Sequence, residues 1–436
     1  MDQTTQTTAT GPVVMYYCHD TYGLGHLSRT RALARQLRAR RPDVSQMIVT
    51  GSPVAQDLLD PGDAEGADYI KLPSVVKVGA ERYAARSLAT AFAAVRDMRG
   101  DILASAARHL RPDVFVVDHA PAGLKGEALP ALRHLAARRP GTRLVLGLRD
   151  IVDDPAAVRA AWRAAGVYEL LDRVYDRILV YGQRDVFDVA RAYGLSDRAA
   201  RKLRYVGYLG HRPAGRPAAG DHPDAAGRRG SGNGARPLVM AVAGGGGDGF
   251  GLLAALLEGL RERETPAFDC RLVAGPLMDP RERARLRALA EGLAAVEVVD
   301  FDPGLAATLG TADAVVAMGG YNTVCELMAS RRPALIVPRV HPRREQLLRA
   351  ELLAGRGLIR MLHPDHLAPD RLVAAVDDLL ARPPRPRVGV ALDGVRVAAA
   401  EIEALIDDPA RAAAGTDPAA RGWLHQTRSL PALAAS

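Results

Sequence analysis

The stretch Met318-Gly319-Gly320-Tyr321-Asn322-Thr323-Val324-Cys325-Glu326 decides how this chain reads. It follows an apolar run, Ala314-Val315-Val316-Ala317, with the character of a buried strand. It opens a segment with helical character from Asn322 to Ser330. Two glycines at a strand-to-helix turn let a ligand approach bare backbone. The start of the helix turns its free N–H groups and positive dipole end toward that spot. The expected occupant is an anion, above all a diphosphate. Glu326 lies one turn further in, where a carboxylate can accept hydrogen bonds from a pair of sugar hydroxyls. A local alternative stands beside this reading: Thr323-x-x-Glu326 also fits a capping box, with Glu326 bonding backbone at the helix start.

Outward from this stretch, strand-like and helical segments alternate. The first strand is Val13 to Cys18, followed by the loop His19-Asp20-Thr21-Tyr22-Gly23-Leu24-Gly25-His26 and a helix from Leu27 to Arg40. Strand-like runs recur at Met47–Val49, Tyr69–Ile70, Val114–Val117, Leu144–Leu146 and Ile178–Tyr181, with the longest helical stretch expected from Glu81 to Leu110. Residues 211–236 are rich in Gly, Pro, Ala, Asp and Arg and read as a flexible linker. The alternation then restarts with a strand at Leu238–Val242 and the loop Ala243-Gly244-Gly245-Gly246-Gly247-Asp248-Gly249. Further strands are expected at Arg271–Val273, Val296–Val299, Ala314–Ala317, Leu335–Val337 and Leu358–Ile359. Helices are expected at Phe250–Arg261, Arg281–Leu293, Arg343–Ala354 and Pro369–Leu380. Short all-apolar strands separated by helices imply parallel sheets covered on both faces. The fold class is therefore α/β, with two doubly wound Rossmann-like domains facing across a cleft. The expected limits are 1–210 and 237–385, with a C-terminal helix and poorly ordered tail over 386–436.

The loops after the strands carry the chemistry. Gly23-x-Gly25 could open a dinucleotide fingerprint, but its third position is Ser28 and the second strand runs into Thr50-Gly51-Ser52 without the acid that binds a ribose. A G-K-[ST] phosphate loop is also missing. Instead the first loop carries His19 and His26, either of which can act as a general base or simply fill the loop and cap the helix. Asp118 follows the fourth strand, where it can orient a histidine of a neighbouring loop or sit solvated. Lys125-Gly126-Glu127 can hold an anionic acceptor or start a helix. The run Gly244 to Gly249 is costly in chain entropy, and a backbone nest for phosphate oxygens is a sufficient reason for it. Glu345 and Gln346 offer donors and acceptors for hydroxyls, against the alternative of a helix start with Pro342 at its first position.

Composition narrows the classes. The chain has 436 residues, 48% hydrophobic and 25% charged, as in ordinary globular proteins. Cys18, Cys270 and Cys325 are its only cysteines and lack C-x-x-C spacing, so a disulfide framework or zinc site is not expected and a reducing cytoplasm fits. The polar start, Met1 to Thr10, has no signal pattern, and no apolar run approaches a membrane span. The formal net charge of +8 would suit an anionic membrane face or anionic substrates. The arginines are dispersed and no nucleic-acid motif is present, so nucleic acid is not an expected partner.

Together these motifs resemble the GT-B glycosyltransferases, and among them the MurG-like group, glycosyltransferase family 28, which contains the peptidoglycan N-acetylglucosaminyltransferases. Gly23-Leu24-Gly25-His26 is similar to the family's N-terminal glycine loop, which ends in His, although the family's usual loop has a double glycine before it. Gly244 to Gly249 resembles its interdomain glycine loop, and Gly319-Gly320-x-x-Thr323-x-x-Glu326 its donor signature. Glu345-Gln346 resembles the acid-or-amide pair that reads sugar hydroxyls. The string from His19 to His26 is more like a poorly characterised branch of predicted glycosyltransferases. The resemblance implies an inverting, metal-independent and cofactor-free transfer from a nucleotide sugar, with UDP as the nucleotide and an N-acetylhexosamine as the sugar. It implies donor binding by Gly244, Gly245, Gly246, Gly247, Gly319, Gly320, Asn322, Thr323, Glu326, Glu345 and Gln346. It implies acceptor binding near Gly23, Gly25 and Lys125, and catalysis by His26 or His19 with Asp118. The acceptor is a small molecule or lipid-linked, the latter bringing the protein to the inner membrane face. The alternatives are a nucleotide-sugar 2-epimerase of the same fold and a non-catalytic nucleotide-sugar-binding protein.

Overall fold

The computed structural model describes residues 11–20, 25–58, 67–79, 82–210, 236–263, 265, 267–302, 304–386 and 388–408. Gly23, the stretch 211–235 and the tail beyond 408 lie outside the described residues.

Among the described residues, nine strands belong to the first half. They are β1 (Val13–Cys18), β2 (Ser45–Thr50), β3 (Ala67–Lys71), β4 (Val75–Gly79), β5 (Arg82–Ala85), β6 (Val114–Asp118), β7 (Arg143–Arg149), β8 (Arg177–Tyr181) and β9 (Leu203–Tyr205). Seven form a parallel sheet in the order β3-β2-β1-β6-β7-β8-β9, while β4 and β5 pair as an antiparallel hairpin. The second half contributes β10 (Leu238–Val242), β11 (Asp269–Val273), β12 (Val296–Val299), β13 (Ala314–Ala317), β14 (Ala334–Ile336) and β15 (Arg360–Met361). They form a parallel sheet in the order β12-β11-β10-β13-β14-β15. Val14 to Cys18 and Ala314 to Ala317 are buried at every position, as strands covered on both faces must be.

Each sheet is doubly wound. The chain steps outward from β1 to β3 and then returns to place β6 beside β1, with Val14 opposite Val114 and Tyr17 opposite Val117. The second half repeats the move, setting β13 beside β10. The helix Gly394–Ile406 does not stay with the second half. Val395, Ala398, Ile402 and Ile406 join the core made by Val14, Leu33, Leu37 and Val114. Arg40 reinforces this return with an ion pair to Glu403.

Three sequence expectations need correction. The segment expected as helix from Glu81 holds β5, and the helix starts only at Phe92. Alanine-rich composition is a weak helix prior, and pairing of Val75 with Ala85 and Lys77 with Tyr83 overrides it. The last strand is Arg360–Met361 rather than Leu358–Ile359, because its register against Leu335 and Ile336 is set by the sheet edge. Pro342 does not begin a helix either, since the helix that follows runs Glu345–Gly355.

Candidate functional site

In open parallel sheets the crevice forms at the carboxyl ends of the strands where the strand order reverses. In the first sheet that point lies between β1 and β6. The loop after β1 carries His19 and leads to His26 in the first turn of the helix Gly25–Arg40. Strand β6 ends in Asp118. His26 Nδ1 lies 2.6 Å from Asp118 Oδ2. An ionised carboxylate only accepts, so Nδ1 is the ring nitrogen that donates to Asp118, and in the neutral ring the lone pair is then on Nε2. The His26 side chain is 20% exposed while Asp118 is 4% exposed, so a reactant can reach the imidazole and not the acid. Arg29, one turn along the same helix, donates to the same Asp118 oxygen at 2.7 Å. Burial alone would raise the Asp118 pKa, but the Arg29 charge and the His26 hydrogen bond outweigh it and hold the carboxyl well below its usual range. Asp20 secures the start of the helix by accepting from the His26 and Leu27 N–H groups at 3.2 and 2.7 Å.

Two further histidines surround this pair. The His19 ring lies 4.2 Å from that of His26, with a buried Nδ1 that has no partner. Burial, then the neighbouring His26, push His19 well below the ordinary histidine range. The His119 ring lies 5.5 Å from His26 on its other side. Lys125 lies with its ammonium 5.7 Å from the centre of the Tyr83 ring on the hairpin. Glu127 is internal, held by Arg99 at 2.6 Å and by the Tyr17 hydroxyl at 2.5 Å.

The second sheet reverses between β10 and β13, and the two glycine loops meet there. A Cβ on Gly244 would sit 3.0 Å from Thr323 Oγ1. Part of the glycine run is a packing requirement after all. Gly246 has φ +94° and a Cβ there would meet the Ala274 carbonyl at 2.6 Å, while one on Gly249 would strike Ala243. Gly245 is exposed and Gly247 half-buried, so their backbone faces outward. Gly319 is committed internally: its N–H donates to Gln346 Oε1 at 3.1 Å and its carbonyl accepts from Arg349 at 3.0 Å. Gln346 Oε1 also accepts the Arg339 N–H, and Glu345 Oε1 accepts from the Arg339 guanidinium at 2.7 Å. Much of the Glu345-Gln346 pair therefore shapes the loop, leaving the buried Glu345 Oε2 without a partner.

The capping-box alternative does not hold. The helix is Tyr321–Ser330 with Gly320 as its N-cap, no side chain caps it, and Thr323 is its third residue. Glu326 is half-buried and has no hydrogen-bonding partner among the described residues, and burial pushes its pKa up to about 7.

The two halves touch at these same elements. Asn322 accepts from Arg29 at 3.3 Å and donates to the Gly25 carbonyl at 3.2 Å. Arg349 donates to Asp150 at 3.0 Å, a fully buried ion pair between the halves. Arg29 and Arg349 each stack on the Tyr321 ring, at 5.7 and 5.5 Å.

Residues 242–388 match the glycosyltransferase family 28 C-terminal domain. The N-acetylglucosamine transferase of Nitrobacter winogradskyi that acts on pyrophosphoryl-undecaprenol-linked N-acetylmuramyl-pentapeptide is 33% identical over 152 residues, 34% of this chain and 41% of that protein. The chain thus spans about two fifths of the curated relative it matches. MurG of Acinetobacter baumannii superposes with a TM-score of 0.54 at 16% identity, covering 91% of this chain and 98% of that one. The chain is similar to MurG and has the GT-B fold. A Listeria monocytogenes protein assigned as a UDP-N-acetylglucosamine 2-epimerase superposes with a TM-score of 0.56 at 12% identity, covering 90% and 95%. The GT-B fold is thus shared by both chemistries, and the site has to separate them.

Sequence reading missed Asp20, Arg29, His119, Arg149, Asp150 and Arg349. Arg29 had a signal, since it lies three residues after His26 and so on the same helix face. Arg349 stands four residues after Glu345 in the same way. Asp150 had none, because its partner is 199 residues away.

Proposed function

We propose that this chain transfers a sugar from a nucleotide-sugar donor to an acceptor hydroxyl, with inversion and without a metal ion. The observation that carries the reading is the His26–Asp118 pair at the first crevice, held against the helix Tyr321–Ser330 by the Asn322 bridge. His26 Nε2 takes the acceptor proton as the acceptor oxygen bonds to the anomeric carbon. The bond from that carbon to the diphosphate oxygen breaks on the opposite face, and its electron pair leaves with the diphosphate. A single displacement of this kind inverts the centre. The leaving charge is met by the N–H groups of Tyr321, Asn322 and Thr323, which have no carbonyl partner at the start of a helix, and by the outward backbone of Gly245 and Gly247. Among the described residues no group of three His, Cys, Asp or Glu is arranged as a metal site. A 2-epimerase needs acid and base groups on both faces of the sugar, and His26 with Asp118 supplies one. Similarity to a UDP-N-acetylglucosamine-dependent transferase favours a UDP-linked N-acetylhexosamine.

Glu326 is the group proposed to hold the ribose. The test is heat protection by a panel of nucleotide sugars, followed by calorimetric titration of the best one. Glu326→Ala is expected to weaken donor binding by about 2 kcal/mol or more, as for a lost pair of charge-assisted hydrogen bonds. The pH dependence gives a second readout. A carboxyl raised to about 7 in the folded protein, against about 4.5 unfolded, favours the fold below pH ~4.5 and loses that contribution as pH rises through 7. Hydroxyls donate to the ionised form, so donor affinity should increase through the same window and binding near pH 6 should release a proton. Titrations in two buffers of different ionisation enthalpy measure that release, and Glu326→Gln should abolish it. A donor constant indifferent to both substitutions would remove Glu326 from the site, and protection by no nucleotide sugar would remove the function.

A lipid-linked acceptor would require contact with a membrane. No described helix is long and apolar enough to cross one. Val78, Leu88 and Met98 are exposed apolar residues around the hairpin and the helix Phe92–Leu110, in a chain of net charge +8. Binding to anionic vesicles should exceed binding to neutral ones and weaken with salt. Equal partitioning onto both would favour a soluble acceptor.

A further inference from the structure

Most of the guanidinium groups around the crevice are balanced by a carboxylate. Arg29 has Asp118 at 2.7 Å, Arg349 has Asp150 at 3.0 Å, and Arg339 has Glu345 at 2.7 Å and Asp248 at 2.6 Å. Arg149, the last residue of β7, differs. Its hydrogen bond goes to His119 Nε2 at 2.8 Å, and no carboxylate bonds it among the described residues. A guanidinium only donates, so Nε2 accepts and the His119 proton must be on Nδ1. That Nδ1 is buried without a partner, and so is Arg149 Nε. Two buried donors therefore stand together at the ends of β6 and β7, beside a positive charge that no carboxylate hydrogen-bonds among the described residues; Glu345, whose charge acts on it, already accepts from Arg339. An unpaired buried donor is costly. His119 also holds a left-handed backbone at φ +67°, a conformation that non-glycine residues adopt only under local constraint.

We propose that Arg149 and His119 form a subsite for an anionic group, a phosphate or a carboxylate, carried by the acceptor. Two oxygens of such a group satisfy both orphan donors and balance the charge. Calling the group part of an acceptor rests on the glycosyl-transfer reading. The subsite belongs to the sheet that carries His26 and Asp118, opposite the glycine loops where a donor diphosphate would bind. The His119 ring is 5.5 Å from the His26 ring, so the reacting hydroxyl and the anionic group lie within about one sugar ring of each other. A cationic acceptor is disfavoured there. Burial first, then Arg29, depress the Arg149 pKa to about 10, and a bound anion would relieve both effects. His119 is pushed well below the usual histidine range, chiefly by burial, in keeping with a neutral ring.

The experiment titrates inorganic phosphate, and separately malonate, into the protein saturated with UDP, against sodium chloride of equal ionic strength. Unfolding temperature is the readout. Each anion should raise it in the wild type, Arg149→Met should abolish the response, and Arg149→Lys should weaken apparent affinity about tenfold by losing the forked geometry. The proposal is overturned if Arg149→Met responds like the wild type. It is also overturned if UDP eliminates the anion response, which assigns Arg149 to the donor diphosphate. The nearby Glu345 supplies a third test. If Arg149→Met and Glu345→Gln destabilise the protein equally and non-additively, the two residues form a cross-cleft ion pair and the subsite is withdrawn. Should Arg149→Met not fold, His119→Asn carries the same titration. Failure of every nucleotide sugar in the panel, and of UDP, to stabilise the protein would sink the transfer reading, whereas a phosphate response lost in Arg149→Met would still establish the anion site.

Discussion

Replacing His26 with alanine is expected to lower kcat by ~10²–10⁴ while donor affinity and folding persist, the usual loss when a general base is removed. The hydroxyl proton must be taken as the new bond forms, and His26 Nε2 is the acceptor this geometry leaves free. Asp118→Asn tests the same unit from behind. An asparagine can accept from Nδ1–H through its oxygen, but it can also turn its amide and donate, which favours the wrong tautomer. It also removes the charge that stabilises the imidazolium and balances Arg29. A large fall in kcat is expected there as well, with the donor constant measured by calorimetry unchanged. His19→Ala is the decisive control. His19 lies 4.2 Å from His26, but Asp118 hydrogen-bonds His26. If His19→Ala abolished turnover and His26→Ala did not, the base would be His19. Normal turnover in both would end the case for histidine catalysis.

Asp150→Ala is expected to destabilise the protein by about 3–5 kcal/mol, because it leaves the Arg349 charge buried without compensation. Both side chains are 1% exposed, and Arg349 NH2 reaches Asp150 Oδ1 at 3.0 Å. Arg349 also donates to the Gly319 carbonyl, so its displacement would disturb the loop that leads into the helix Tyr321–Ser330. The loss should appear in denaturant unfolding, accompanied by weaker donor binding. Asp150→Leu combined with Arg349→Met should cost less than either single change, since the pair is removed together and no charge is stranded. A loss below about 1 kcal/mol for Asp150→Ala, within the range of an exposed pair, would mean that the halves separate readily and water reaches Arg349.

Local chemistry made the frame legible. Strands buried on both faces must be apolar along their length, so runs such as Val114–Val117 and Ala314–Ala317 announced themselves, and the glycine-bearing loops after them marked where a ligand could meet backbone. The helix beginning beside Gly320 and the acid one turn into it were legible for the same reason. Periodicity and turn chemistry act over a few residues, and that is as far as they reach. The union of His26 with Asp118 spans 92 positions and exists because the chain returns to set β6 beside β1. Whether Thr323 capped its helix, whether Gly319 kept its N–H for a ligand, and whether the last helix stayed with its own half were settled by packing. Each answer depended on a group brought from elsewhere: Gln346 against Gly319, and the core of the first sheet against Val395 and Ile402. The sequence by itself determined two doubly wound sheets and the loops that carry the chemistry. Only the tertiary structure decided which guanidinium groups are hydrogen-bonded to a carboxylate and which, like Arg149 among the described residues, bond a histidine instead, because burial and pairing are properties of neighbours in space.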